Sequence, residues 1–146
     1  MEEIPERLRT KPSWLITQLA VHARRLVSES FTEAGAKGYH YRILAALQEF
    51  GPSSQADLGR RCHVDRSDVV AAVNQLVDLG HVDRSPDPTH GRRNIVSLTP
   101  AGAAQLQHMD ALLAQAQTTL LAALTPADRH TLTHLLTQAL THHTPD

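Results

Sequence analysis

The sequence predicts a mostly α-helical fold carrying one small β-hairpin. Three observations support this. Aromatic residues make up only 3% of the chain, so the core must be built from Leu, Val, Ile and Ala, a composition that favours helices. Apolar residues recur three and four apart over most of the length, which is the spacing that lines one helix face. A single stretch, Asn94 to Leu98, alternates instead and carries the β-branched pair Ile95 and Val96.

The elements can be justified in order. Met1 to Lys11 is charged and aperiodic, and is expected to be loosely held. Pro12-Ser13 opens a helix to about Glu33, with Leu15, Leu19, Ala23 and Leu26 at helical spacing. Gly35 and Gly38 interrupt the pattern. A second helix covers about Tyr39 to Phe50 and turns Ile43, Leu44 and Leu47 inward. Gly51-Pro52 ends it, because proline cannot continue the hydrogen-bond ladder. Ser54 is a good N-cap for a short helix from Gln55 to about Arg61, anchored by Leu58. After a brief turn at Cys62-His63-Val64, Asp65 caps a longer helix. Its apolar stripe is Val69, Val73, Leu76 and Val77, and Gly80 ends it.

Val82 then starts an extended segment, which Ser85-Pro86-Asp87-Pro88 breaks before Asn94 to Leu98 returns. This reads as a two-stranded antiparallel hairpin with a long tip rich in Pro, Gly and Arg. Thr99-Pro100 begins another helix, with Thr as cap and Pro at the first helical position, running to about Leu124. Leu106, Met109, Leu113, Ala116, Leu120 and Ala123 form a narrow seam suited to packing on another helix. Thr125-Pro126-Ala127-Asp128 repeats the start signal, and the last helix is expected to bury Leu132, Leu135, Leu136, Ala139 and Leu140. No internal repeat is visible.

Composition bounds the function. The 146 residues fit one domain with a core. The formal net charge of -1 gives no bulk sign of a nucleic-acid partner. Arg60, Arg61, Arg66 and Arg84 are diluted by Asp65, Asp68, Asp78 and Asp83, and only Pro88 to Leu98 is basic without a nearby acid. Cys62 is the only cysteine, which excludes an intramolecular disulfide framework and a multi-thiolate zinc site, and a reducing cytoplasm is the expected setting. No stretch is long and apolar enough to span a membrane. Glu2, Glu3, Glu6, Arg7 and Arg9, with no apolar core after them, do not read as a signal peptide. No Ser-His-Asp order, paired-carboxylate pattern or phosphate cradle stands out, and Gly35-Ala36-Lys37-Gly38 lacks the flanking strand a nucleotide site needs. The expectation is no enzyme and no cofactor.

The central order is short helix, turn, longer helix, hairpin. That is a helix-turn-helix with a wing, which presents one helix edge to a DNA major groove. The hairpin tip can then reach the neighbouring backbone or minor groove. Four runs carry a family resemblance here: Leu58-Gly59-Arg60-Arg61-Cys62-His63-Val64-Asp65-Arg66-Ser67, then Leu76-Val77-Asp78-Leu79-Gly80-His81-Val82-Asp83-Arg84, then Pro86-Asp87-Pro88-Thr89-His90-Gly91-Arg92-Arg93, and finally Val96-Ser97-Leu98-Thr99-Pro100-Ala101-Gly102. In this order and spacing the chain resembles the MarR (multiple antibiotic resistance regulator) family, over about Trp14 to His143. The resemblance implies a winged helix-turn-helix lobe over about 39–99. It also implies dimerisation helices over about 12–38 and 100–146, and a cytoplasmic homodimer whose first and last helices interlock.

Site residues follow from the resemblance and from chemistry. Arg92 matches the family's wing-tip arginine for the minor groove, where a narrow groove concentrates negative potential. Arg93 is either a phosphate contact or a partner for Asp87. His90 departs from the acid the family commonly has there, and adds a pH-dependent phosphate contact as one option. On the recognition helix, Asp65 to Leu79, Arg66 and Ser67 can donate to phosphates or bases, and Val70 and Ala71 can touch thymine methyls. Asn74 and Gln75 are contacts one turn on. Asp68 repels phosphates unless it is paired with Arg66 or aimed at a cytosine. Ser54 and Gln55 suit phosphate binding through backbone N–H groups. The resemblance further implies a small, often aromatic, acidic effector, for which Trp14, His22, Arg25, Tyr39, Tyr41 and Arg42 are candidates by position.

Two further features have bland readings beside the functional ones. His130 and His134 have a chelating spacing, with His142, His143 and His108 able to lie near in a dimer, yet no carboxylate completes a site. A solvated helix face is the simpler account, and no metal is assigned. Cys62 takes a position where an apolar core residue is usual, so a buried thiol is favoured over a redox switch. The leading function is a homodimeric repressor on a pseudo-palindromic duplex, relieved by an effector. The alternatives are a winged-helix protein-interaction module without DNA binding, and a metal-responsive regulator using the His-rich C-terminal half.

Overall fold

The computed structural model describes residues 3–144. Its elements run α1 (Glu6–Arg9), α2 (Pro12–Glu33), α3 (His40–Phe50), β1 (Ser53–Ser54), α4 (Gln55–Cys62), α5 (Arg66–Asp78), β2 (Val82–Asp87), β3 (His90–Leu98), α6 (Pro100–Leu120) and α7 (Pro126–His143). Three of the expected N-caps act through their side chains: Ser54 accepts from the Asp57 N–H, Thr99 from Gly102 and Thr125 from Asp128. Each hydroxyl satisfies one of the amide donors that a helix start leaves without an internal partner. Asp65 stands at the N-cap of α5, but its side chain makes no capping bond.

Several expectations are corrected. The charged segment up to Lys11 contains the short helix α1, while Met1 and Glu2 lie outside the described residues. The sheet has three strands, ordered β1-β3-β2 and antiparallel throughout, because Ser53 and Ser54 pair with Val96 and Ile95. Two serines carry no alternating pattern, so this strand leaves no signal in the sequence. The hairpin has a short tip: only Pro88 and Thr89 lie between the strands, and the irregularity falls between Pro86 and Asp87. The helix α6 stops at Leu120, and the polypeptide turns before Pro126.

The core sits where α3, α4, α5, α6 and the sheet meet. Ile43, Leu44, Leu58, Val69, Val73, Leu76, Val82, Val96 and Met109 are almost wholly buried. Each such aliphatic side chain contributes about 1.5–3 kcal/mol relative to exposure. This core fixes α5 between α3 and the wing, with one face left outward.

The long helices behave differently. No described residue of α7 is buried, and Leu135, Leu136 and Leu140 are 55%, 45% and 67% exposed. On α2, Leu15, Ile16 and Leu19 are also exposed, and only Ser30 near its C-terminal end is buried. The expected burial of the α7 leucines therefore does not occur within one chain. A groove of about 400 Å³ runs between α2, the end of α6 and α7, lined by Leu15, Ile16, Leu19, Leu120, Leu121, Leu132 and Leu136. No described helix is long and apolar enough to cross a membrane.

Candidate nucleic-acid interface

The outward face of α5 follows from its inward one. Val69, Ala72, Val73 and Leu76 are buried, and at 3.6 residues per turn the opposite side carries Ser67, Ala71 and Asn74. All three are exposed, Val70 is half-buried beside them, and Arg66 is exposed at the helix start. Asp68 is exposed in the first turn and, among the described residues, forms no ion pair. Of the two alternatives to phosphate repulsion, pairing with Arg66 is therefore not formed among the described residues.

Two polar residues of α5 have protein partners. Asn74 accepts a hydrogen bond from Arg84 Nη1 at 2.6 Å, which fastens the helix to β2. Gln75 Oε1 lies 2.7 Å from His40 Nε2. Gln75, exposed one turn beyond Ala71, therefore sits at the α3 edge of the face that Ser67, Ala71 and Asn74 share. Arg84 was visible in the sequence only as one charge among several. Its contact spans ten positions and rests on how β2 packs, so no local pattern could reveal it.

At the start of α4, Ser54 is buried and its hydroxyl is committed to Asp57. Its side chain is a cap rather than a ligand contact. Gln55 is half-buried, and its Oε1 is enclosed without a hydrogen-bond partner.

The wing is organised by Asp87, which is 6% exposed. Its Oδ1 accepts from the Thr89 N–H at 2.9 Å and the Thr89 hydroxyl at 2.7 Å. Its Oδ2 accepts from Arg93 Nε at 3.0 Å and Nη2 at 2.9 Å. The first pair is the local turn chemistry expected of Asp, and the second is a two-pronged guanidinium contact. The Thr89 backbone N–H, then its hydroxyl and Arg93, hold the Asp87 carboxyl down at about 2. A depressed carboxyl favours the folded form at higher pH: that contribution is complete above the ordinary 3.8 and is lost as pH falls from there through about 2. The Asp87 carboxylate thus stays charged and tied to Thr89 and Arg93 at neutral pH. Of the two readings for Arg93, the Asp87 pair is the one formed in the structure. Arg92 and His90 are exposed, and Arg92 forms no ion pair among the described residues.

Replacing Asp87 with Ala should loosen the tip alone. Amide exchange at Thr89 should quicken roughly tenfold for the lost acceptor, while α5 keeps its protection. Unchanged exchange from Asp87 to Arg93 would contradict this role.

The effector candidates are scattered. Tyr41 and Arg42 line one open groove of about 480 Å³ with Phe50, Arg61, Cys62 and His63. Trp14, His22, Arg25 and Tyr39 do not line it. Arg25 is exposed and paired with Glu29 at 3.1 Å, and Tyr39 carries the Arg42 guanidinium over its ring at 5.4 Å. Tyr41 donates to Asp110 at 2.6 Å, and that bond first, then burial, pushes its hydroxyl up to about 12. It therefore ties α3 to α6. Cys62 is buried, donates to the Arg42 carbonyl at 3.3 Å, and burial raises its thiol above the ordinary value. Among the described residues no three His, Cys, Asp or Glu side chains converge as a metal site.

A helix-turn-helix with an outward helix face and a cationic hairpin beside it defines a winged-helix protein of the DNA-binding regulator class. Comparison with known proteins names the family. The MarR-family model matches residues 35–93. A putative transcriptional regulatory protein for the hcr operon of Thauera aromatica is 31% identical over 82% of this chain and 76% of its own length. The HTH-type transcriptional repressor NicR of Pseudomonas putida is 37% identical over 64% of this chain, and the match spans 59% of that repressor. Among solved structures, a cysteine-to-serine mutant of E. coli MarR complexed with operator DNA superposes with a TM-score of 0.73 and 26% identity, covering 86% of this chain and 91% of that one. The chain belongs to the MarR family.

Proposed function

We propose that this protein is a homodimeric transcriptional repressor of the cytoplasm that binds a pseudo-palindromic DNA duplex and is released by a small effector. The carrying observation is the division of labour in the wing. Asp87 is consumed by Thr89 and Arg93, which leaves Arg92 as an uncompensated cation at the tip. A free arginine on an ordered tip suits a narrow minor groove, whose potential is strongly negative. Ser67, Ala71 and Val70 would face base edges from α5, and Arg66 a phosphate. The backbone N–H groups at the start of α4 would hold a second phosphate.

The lobe over about 39–99 would do the binding, and the helices over 12–38 and 100–146 would pair two chains. The exposed leucines of α2 and α7 support that pairing. A relative named as a transcriptional repressor supports repression. Tyr41 and Arg42 are the best supported effector residues, since they share a groove with an apolar floor, and an aromatic acid would find there a guanidinium and ring faces.

Arg92→Ala tests the proposal. It should weaken specific duplex binding by on the order of tenfold and lower the salt slope by about 1 for each wing engaged, without changing the fold. Binding measured by anisotropy at several salt concentrations decides it. Unchanged affinity and slope would refute the wing assignment. Absence of any specific shift on the flanking intergenic DNA at moderate salt would favour the protein-interaction reading, which the unpaired Asp68 and the net charge of -1 otherwise motivate.

A further inference from the structure

His40 is a buried ionisable group that the DNA-binding reading leaves unused. It is 3% exposed, at the first position of α3, directly after the segment that joins α2 to the helix-turn-helix. Both ring nitrogens are engaged. Nδ1 accepts from the Lys37 N–H at 3.3 Å, and Nε2 lies 2.7 Å from Gln75 Oε1. A backbone N–H can only donate, and a carboxamide oxygen can only accept. The ring is therefore neutral, with its single proton on Nε2. In this tautomer one imidazole joins the α2–α3 junction to α5.

We propose that His40 is a positioning residue for the recognition helix: its neutral ring holds the interlobe junction against α5 through Lys37 and Gln75, and protonation of the ring releases that hold. The proposal rests on the reading of α5 as the DNA-contacting helix. The geometry supplies the mechanism. A second proton on Nδ1 would point at the Lys37 N–H, donor against donor. The charged ring relieves this by moving off the Lys37 N–H, which frees the junction from α5 even though Nε2–H can still donate to Gln75.

The surrounding charges mostly oppose protonation. Lys37 brings a cation from the junction. His81, just beyond the end of α5, brings a second basic ring, whose own Nδ1 is enclosed without a hydrogen-bond partner. Asp78 on α5 is the one carboxylate among the residues lining the small cleft beside His40, where Lys37 offsets it. Burial first, and then His81 and Lys37, push the imidazole below its ordinary 6.5, against the pull of the Gln75 hydrogen bond. A base with a lowered folded-state value binds more protons unfolded than folded. The stability it contributes is therefore complete above about 6.5 and is lost as pH falls below it.

The test compares the intact chain with His40→Asn, whose side-chain oxygen can still accept from Lys37 but cannot titrate. Melting temperature and duplex affinity are measured at pH 7.5 and 5.5 at fixed ionic strength. The wild type should lose several degrees more than the variant on acidification, and at least about fivefold more affinity. Parallel melting profiles would overturn the proposal. A melting difference with parallel affinities would overturn the positioning role. A wild type that binds no duplex at either pH would instead overturn the DNA reading, and the melting profiles still decide the tie at His40. If His40→Asn fails to fold, Lys37→Gln takes its place. Removing that cation should raise the midpoint of the His40 imidazole titration seen by NMR, and an unmoved midpoint would count against the proposal.

Discussion

Gly102→Ala is expected to lower the melting temperature by on the order of 10 °C, through overpacking worth about 3 kcal/mol or more. Gly102 is buried in the first turn of α6, where the helix rests on the segment that leaves α5. A Cβ built there falls far inside contact distance of the His81 carbonyl oxygen. It also lies 2.9 Å from the His81 carbonyl carbon and 2.8 Å from Leu98 Cδ1. Leu98 can turn aside, but the His81 carbonyl cannot. It accepts the Thr99 N–H at 3.1 Å, while Thr99 Oγ1 donates to the Gly80 carbonyl at 2.7 Å and accepts from Gly102. Helix α6 would have to lift off the end of α5, breaking these bonds together. Both lobes meet at this point, so the loss should appear in DNA binding as well as in melting. Gly91→Ala is the internal control, since nothing lies within 4 Å of its added methyl and its backbone is not left-handed. It should melt within about 2 °C of wild type. Scanning calorimetry on the pair decides the matter. A Gly102→Ala protein that melts with the Gly91→Ala protein would show that α6 is not seated as described.

How much of this was legible beforehand varies with the range of the interaction. Ser54, Thr99 and Thr125 announce helix starts because a cap bonds only three residues ahead. Ile43, Leu44, Val69, Val73 and Leu76 announce inward faces because helical spacing is local too. The wing was visible in outline from Ile95 and Val96, but its tight tip was not. That depends on Asp87 closing on Thr89 and Arg93, and the sequence offered an ion pair and a phosphate contact with equal force. The recognition helix shows the same limit. Its ends were readable to within about a residue, yet the hydrogen bond that occupies Gln75 comes from His40, thirty-five residues away. Gly102 stood in the motif without its reason, because the atom it avoids belongs to His81. For α7 the pattern marks an apolar face that one chain alone leaves uncovered. Apolar spacing says that a face is to be covered, but not by which chain.

That uncovered face leads to the second large effect. Leu136→Glu is expected to convert a dimer of twice the 16.0 kDa chain mass into monomers, and to abolish specific DNA binding at working concentrations. Leu136 lines the groove of about 400 Å³ with Leu132 on its own helix and Leu15, Ile16 and Leu19 on α2. Within one chain these side chains stay wet, at a cost that a second copy would remove. A two-fold interface repeats each contact, so one substitution buries two unpaired carboxylates. At a few kcal/mol for each carboxylate, the dissociation constant should rise by roughly a thousandfold or more. Gln138 lies on the opposite side of α7 and is exposed, so Gln138→Glu should add the same charge and leave the dimer intact. Sedimentation equilibrium separates the two variants, and far-UV circular dichroism guards against simple unfolding, since α2 to α6 enclose their core without α7. The DNA readout follows from geometry: two recognition helices bind matched half-sites only when one frame joins them. A Leu136→Glu protein that sediments as wild type would mean that the α2 and α7 leucines face some partner other than a second copy. The pseudo-palindromic operator would then lose its structural basis, although Arg92 and the α5 face could still hold a single half-site.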